Sequence, residues 1–515
     1  MKKAAVSKAK GRKAHPILSL KNIDPKDPSL KPILESLQGN ILRGHGRDHT
    51  VHIFFTFTGS KEDNRRILKL LSSRVTSAAE QEKQREEYKR GKANQTFRNL
   101  FLTAKGYASL GFSSAELSIA FPEPAGPVQI PPQIKFTNGM ASHRAELSDP
   151  ELSEWEPGYV NADGAGTIPQ RIDGMVLLAN DDLTKLKNDE QAVRAVLAST
   201  ASIEVTEYGL AIFNESRTQN LEHFGYVDGR SQPTFFKDQT DGEASKDGID
   251  VWDPAEPLGL VLVPDHLVPS SEVSNSFGSY FVFRKLEQNV RGFKSKEQEL
   301  AAALNLTGDD AELAGAMAVG RFEDGTPVVQ QNQNGLVDPV PNNFRFSTSD
   351  PNGSKCPFHS HIRKMSPRGD SLSSGNIPAS SEAIERSHRI ARRGITYGVR
   401  TVEPKDEPSL DQMPTRGVGL LFMCFQSDID NQFGFMQRAW ANNTQFSRPL
   451  FGDAGAANTG LDPVIGQPTG AIPSPQNWPS PWGSANTQAF GFESFVTMLG
   501  GDFFFAPSVA FFRNL

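Results

Sequence analysis

Three short stretches of this chain gather ionisable side chains beside glycine or proline, where the backbone can be held in special conformations and a side chain aimed. They are Phe224-Gly-Tyr-Val-Asp228-Gly-Arg-Ser-Gln-Pro233, Cys356-Pro-Phe-His359-Ser-His361-Ile-Arg-Lys-Met-Ser-Pro-Arg368 and His388-Arg-Ile-Ala-Arg392-Arg393-Gly-Ile-Thr-Tyr397-Gly398. A carboxylate such as Asp228 can take up a proton and hand it on. An imidazole such as His359 or His361 can do the same or bind a metal, and a guanidinium such as Arg392 can meet developing negative charge. Taken singly, each stretch also has a bland explanation. Asp228-Gly229 is a frequent turn dipeptide, His359 and His361 can be core residues sharing one strand face, and Arg392-Arg393 ahead of Gly394 can end a helix. The commoner metal, phosphate and acyl-transfer signatures are absent from the sequence: there is no Walker A loop, HExxH, GxSxG or paired CxxC.

Taken together, the three stretches resemble the dye-decolorizing peroxidase family of haem proteins. Gly225-Tyr-Val-Asp228-Gly229 matches that family's GxxDG signature. Cys356-Pro-Phe-His-Ser-His361 with Arg363-Lys364 resembles its proximal-histidine segment, and Arg392-Arg-Gly-Ile-Thr-Tyr397-Gly398 its RxGxxYG distal-arginine segment. Supporting blocks occur at Gln38–Asp48, Phe283–Gln288, Gly320–Pro327 and Gly500–Pro507, so the likeness runs from about residue 38 to the C-terminus.

The resemblance implies a dimeric α+β protein made of two ferredoxin-like halves, with antiparallel sheets and peripheral helices, and haem b held mainly by the C-terminal half. It implies a peroxidase that uses hydrogen peroxide to oxidise bulky aromatic donors, such as dyes and phenols, in one-electron steps. His361 matches the ligand below the iron, with His359 as its rival. A ligating imidazole normally gives its other N–H to a carboxylate, for which Asp462 is the candidate and Asp430 stands behind it. Above the iron, Asp228 matches the acid–base and Arg392 the fixed positive charge, with Arg393 second in line. Period two on the strand Gly419-Leu420-Leu421-Phe422 aims Leu420 and Phe422 the same way, and the resemblance makes them distal walls. Arg368 resembles a position that pairs with a haem propionate, for which a guanidinium is suited. Tyr397 and Trp440 resemble points of electron exit toward donors too large to reach the haem. A carboxylic acid with a reference pKa of about 3.9 stays ionised where an imidazole near 6.5 would not, so an acidic optimum is expected. The alternative is a haem carrier or iron-releasing protein on the same fold. A carrier has no need of an acid–base beside a cation, so the presence of both Asp228 and Arg392 favours the enzyme.

The elements that must position these residues read as a mixture. Strand-like runs occur at 51–58, 174–179, 203–213, 258–263, 280–284 and 417–425, and amphipathic helical spacing at about 62–90, 189–200 and 297–304. The order is neither strictly βαβ nor all-β, which predicts α+β with antiparallel sheets. The Asp-, Gly- and Lys-rich stretch 237–257 reads as a connector between an N-terminal half, 31–236, and a C-terminal half, 258–515. A long irregular stretch follows at about 442–486. The 515 residues are 37% hydrophobic and 22% charged, which excludes a disordered or fibrous chain. With 54 basic against 60 acidic residues, a surface covered for nucleic acid is excluded. Two cysteines make no disulfide framework, and runs such as Val418–Phe425 fall far short of the roughly 18 apolar residues that span a bilayer. Residues 1–30 carry Lys2, Lys3, Lys8, Lys10, Arg12 and Lys13 with no acid before Asp24 and no apolar signal core. They are read as a solvated basic tail on a cytoplasmic protein.

Overall fold

The computed structural model describes residues 15–515 apart from 123, 125, 128–129, 161–170, 337–338, 373–380, 446–458 and 468–474. Eight antiparallel strands carry the architecture. The first four are β1 (His49–Phe57), β2 (Phe97–Leu102), β3 (Gly174–Asn180) and β4 (Ala201–Leu210), hydrogen-bonded in the order β4-β1-β3-β2. The second four are β5 (Phe277–Gln288), β6 (Ile395–Tyr397), β7 (Gly419–Gln426) and β8 (Val496–Ala506), in the order β6-β7-β5-β8. Each set therefore runs fourth-first-third-second, or its reverse, the ferredoxin-like arrangement. Phe505 of β8 pairs with Leu102 of β2, and Tyr397 of β6 with Gly209 of β4, so the two sheets close on each other as an α+β barrel.

Closure explains the composition of the strands. β1 is buried at nearly every position, and β2 and β3 at every one, because one face meets the barrel interior and the other the outer helices. Such strands read as continuous apolar runs rather than alternating ones. Aromatic rings from both halves fill the core: Phe101 of β2 stacks on Phe281 of β5 at 4.3 Å, Phe281 meets Phe425 of β7 at 4.8 Å, and Phe54 of β1 meets Phe283 of β5 at 4.7 Å.

The structure departs from the sequence reading in four places. The single helix expected over 62–90 is two, α1 (Lys61–Ser72) and α2 (Ala78–Lys89). Ser77 ends the linker by accepting a hydrogen bond from the Glu80 amide as an N-cap, which serine does better than a helix interior. The strand expected at 258–263 is a 3₁₀ turn, Leu258–Leu260, entered after Pro257. Residues 237–247 of the expected connector form a helix. Finally, residues 15–30 are not a solvated tail. Ile17, Ile23 and Leu30 are buried, and the Ile23 amide donates to the Phe235 carbonyl at 2.9 Å while its carbonyl accepts from Lys237 at 3.0 Å. The basic residues 2–13 lie outside the described residues. No helix among the described residues is long and apolar enough to cross a membrane.

Phe281 touches both halves, so its truncation should weaken the whole barrel. Phe281→Ala is expected to cost about 3–5 kcal/mol, read as a lower urea midpoint at unchanged slope; an unmoved midpoint would contradict this packing.

Candidate active site

One cavity brings together side chains from all three chemically suggestive stretches. Its walls come from β5, β7 and β8, from the hairpin that ends at Asp228, from helix α3 (His361–Met365), and from the wide helical turns Asp430–Gly434 and Met436–Ala441.

Asp228 sits on the two-residue strand Val227–Asp228, paired with Asn220–Leu221. The turn between them needs Gly225, whose φ of +103° disfavours any residue with a Cβ. Asp228 Oδ1 accepts from the Gly229 amide at 2.6 Å and from Arg392 Nη1 at 3.4 Å. Among the described residues no donor reaches Oδ2. Arg392 lies opposite Cys424 of β7, with its Nη2 anchored on the Arg230 carbonyl at 2.8 Å. The two side chains are 28% and 34% exposed, so this ion pair is loose and contributes little stability. Arg393 is turned away: its guanidinium donates to the carbonyls of Asn40, Ile41 and Arg392 at 2.6–2.8 Å. Leu420 and Phe422 line the cavity, whereas Leu421 and Met423 between and beyond them are wholly buried, the alternation a strand imposes.

His361 opens helix α3, and its Nδ1 is 2.9 Å from Asp462 Oδ2. Asp462 is buried, and its Oδ1 accepts from the amides of Val464 at 2.8 Å and Ile465 at 3.0 Å. Burial alone would raise its carboxyl; the His361 imidazole and the two amides outweigh that and hold it below the usual range. With Nδ1 engaged, Nε2 has no partner among the described residues, and His361 lines the cavity. Arg363 braces the helix from behind, paired with Asp350 at 2.9 Å and Asp370 at 2.6 Å. Asp430 is occupied elsewhere, by Arg438 and the Ile134 amide. His359 is absent from the cavity wall. It is buried edge-on against Trp478 at 4.3 Å, and burial pushes its imidazole down to about 3.

A second cavity adjoins the first. Asp228, Arg392, Leu420 and Phe422 line both, and it continues to Asn40, His45 and Arg47; His361 lines only the first. The carboxylate–guanidinium pair thus stands where the two cavities adjoin, whereas the imidazole lines the main cavity alone.

Comparison with known proteins decides what this arrangement belongs to. Residues 36–209 match the DyP dimeric alpha+beta barrel domain. The chain is 42% identical over 487 residues to the multifunctional dye peroxidase DyP2 of Amycolatopsis sp., covering 94% of this chain and 96% of that protein. It is 31% identical over 411 residues to the dye-decolorizing peroxidase msp1 of Mycetinis scorodonius, covering 74% and 71%. The solved structure of Amycolatopsis DyP2 superposes with a TM-score of 0.84 at 40% identity, covering 96% and 99% of the two chains. That of a DyP-type peroxidase from Anabaena sp. superposes with 0.81 at 38% identity, covering 96% of each. The chain belongs to the dye-decolorizing peroxidase family.

Peroxidases of this family are haem-dependent, and the residues around the cavity of this family member fit such a group. A haem offers iron, apolar faces and two carboxylates. The cavity offers one available imidazole nitrogen, apolar walls at Leu286, Leu420, Phe422 and Phe433, and cations at Arg230, Arg284, Arg321 and Arg389. Arg389 Nη2 and Arg284 Nη1 are buried donors without a hydrogen-bond partner among the described residues, as expected of groups that await an acceptor. Burial, reinforced by the neighbouring Arg230, pulls the Arg321 guanidinium down to about 9. An anion arriving there would relieve it.

Two expectations need correction. Arg368 does not line the cavity: its guanidinium donates to the carbonyls of Asn342 and Phe344 at 2.7 and 3.0 Å and to Ser231 Oγ at 2.8 Å. Ser231 is the group at the wall. Arg368 therefore stands one residue behind, whereas Arg230, Arg321 and Arg389 line the cavity itself. Tyr397 and Trp440 are 7% and 2% exposed, too buried to pass electrons directly to a bulky donor. The sequence did carry a signal for the missed cations, since Arg230, Arg284 and Arg321 each sit in a block that resembles the family.

Desolvation holds several imidazoles neutral. Burial lowers His45, His52 and His359 to about 3, and His223 and His388 to about 4. Below pH 6.5 the unfolded chain binds protons that the folded chain refuses, so stability should fall as pH drops from 6.5 toward 4. His359→Phe should flatten that slope by up to about 1.4 kcal/mol per pH unit, measured from urea midpoints between pH 6 and 4; an identical slope would mean that His359 is not held neutral.

Proposed function

We propose that this chain is a haem b peroxidase that oxidises dyes and other bulky aromatic compounds one electron at a time, with Asp228 as the acid–base. The observation that carries the reading is the meeting of two pairs at one cavity: His361, held by Asp462, and Asp228 with Arg392. When bound, haem b supplies the iron that receives two oxidising equivalents from hydrogen peroxide and passes them to aromatic donors.

The protein's own residues divide the remaining work. Asp462 accepts the Nδ1–H of His361, which makes Nε2 a stronger donor. Asp228 Oδ2, free of hydrogen bonds among the described residues, takes the proton from one peroxide oxygen and returns it to the other, which then leaves as water. Arg392 Nη1 meets the negative charge that builds on the oxygen gaining electrons, and its bond to Asp228 Oδ1 keeps Oδ2 turned to the peroxide. Leu420 and Phe422 restrict water beside this pair. The adjoining cavity past His45 and Arg47 gives a small polar molecule a way to Asp228 without crossing the main chamber.

Asp228→Asn should lower the bimolecular rate with peroxide about 10²–10⁴-fold at unchanged haem content, measured by stopped-flow absorbance. A loss under tenfold would exclude Asp228 as the acid–base. Slow bleaching of the native protein, in place of a high-valent spectrum, would favour a haem carrier. His361→Ala should lose the spectrum of an imidazole-bound haem, while His359→Ala keeps it; the reverse pattern would exchange their roles.

Because a carboxylate remains a base in acid, initial rates with aromatic donors should peak below pH 7, even where long incubation unfolds the protein. Peaks above pH 7 for several unrelated donors would contradict an Asp-based mechanism.

A further inference from the structure

The dyad of His361 and Asp462 joins residues 101 positions apart in the chain, so something must register the two segments against each other. Helix α3 carries His361 and, one turn on, Lys364. The Lys364 side chain is wholly buried, and Nζ donates to three carbonyls: Trp440 at 3.1 Å, Asn443 at 2.8 Å and Gly460 at 2.7 Å. Two of these belong to the end of the wide helical turn Met436–Ala441 and the residues just after it. The third lies two residues before Asp462. The same join is closed by the Asp462 amide on the Ala441 carbonyl at 3.1 Å and the Gly460 amide on the Thr444 carbonyl at 2.9 Å. It is also tight: a Cβ on Gly466 would fall 2.5 Å from the Asp462 carbonyl oxygen.

An ammonium is a costly residue to enclose in such a place. A methionine of similar length would fill the space with no charge to desolvate. Burial pulls the Lys364 amine down to about 7 and the Asp462 carboxylate offsets part of that, while all three donors of the ammonium are used. Its distinctive contribution is therefore the tie between three backbone carbonyls from two segments, at the point where the axial dyad is assembled.

We propose that Lys364 is a positioning residue for that dyad: its ammonium fastens the Gly460–Asp462 turn to the end of the Met436–Ala441 helix, so that Asp462 Oδ2 meets His361 Nδ1 and sets the donor strength of Nε2. This rests on the reading of His361 as the iron ligand. The experiment is resonance Raman of the reduced holoenzyme, comparing the iron–histidine stretch in the native protein, Asp462→Asn, Lys364→Met, Lys364→Gln and Lys364→Arg.

Asp462→Asn is expected to lower the frequency. Lys364→Met and Lys364→Gln are expected to shift it in the same direction, with the peroxide rate falling about tenfold or more, and Lys364→Arg to recover most of the shift. Should the Met variant fail to fold, the Gln variant, which keeps two donors, decides. A shift in Asp462→Asn with native frequencies in Lys364→Met and Lys364→Gln would overturn the role of Lys364 alone. A native frequency in Asp462→Asn would overturn the axial reading itself, and this proposal with it.

Discussion

Asp462 is closed off from water, yet its carboxyl is held below the ordinary carboxylate range. A buried carboxylate stays charged only when donors replace the lost hydration. Here the donors are two backbone amides on one oxygen and the His361 imidazole on the other. This constraint orders much of what surrounds it. It requires a tight turn from Gly460 to Gly466, a helix end for that turn to rest on, and a short helix that presents His361 at its first residue. It also settles which ring nitrogen is left over. With Nδ1 committed to Asp462, only Nε2 can serve the cavity, so one buried hydrogen bond selects both tautomer and direction.

The Asp228–Arg392 pair follows a different physical rule. Asp228 and Arg392 are partly exposed and 3.4 Å apart, a geometry that stabilises the fold little. A tight bidentate pair would have used both carboxylate oxygens and left no site for a proton. The rigidity lies one residue away instead. Arg393 ties the strand at 391–392 to the carbonyls of residues 40 and 41, and the Arg392 amide is held by Gln232 Oε1 at 3.1 Å. The barrel does the same for the apolar wall. β7 is paired along its length with β5, so alternation sends Leu420 and Phe422 to the cavity and Leu421 and Met423 to the core.

The long β-branched and aromatic runs were legible as strands because barrel closure buries both of their faces, which leaves an unmistakable apolar stretch. The α+β class could likewise be read from residue types and family likeness, whereas no motif decided between Asp462 and Asp430 as the carboxylate beside His361. Features governed by tertiary packing could not. The 258–263 run is as apolar as a strand but forms a turn, because its backbone pairs with Leu20 from the N-terminal segment, with the Leu258 amide on the Leu20 carbonyl at 2.9 Å. Residues 15–30 look solvated by charge alone, yet three scattered apolar side chains dock them. Arg368 resembles a propionate-pairing position by its place in the chain, and place in the chain does not say on which side of Ser231 a guanidinium falls. Tyr397 and Trp440 have oxidisable side chains, but exposure is a property of the folded surface and leaves no mark in a short motif.

The central claim is that one cavity receives a haem between the His361–Asp462 and Asp228–Arg392 dyads. A crystal structure of the haem-loaded protein tests it most directly. The account predicts density for a flat macrocycle in that cavity, with His361 Nε2 bonded to iron, Asp228 and Arg392 over the other face, and the propionates against two or more of Arg230, Arg321 and Arg389. Iron bonded to His359, or Asp228 and His361 on the same face of the macrocycle, would contradict it.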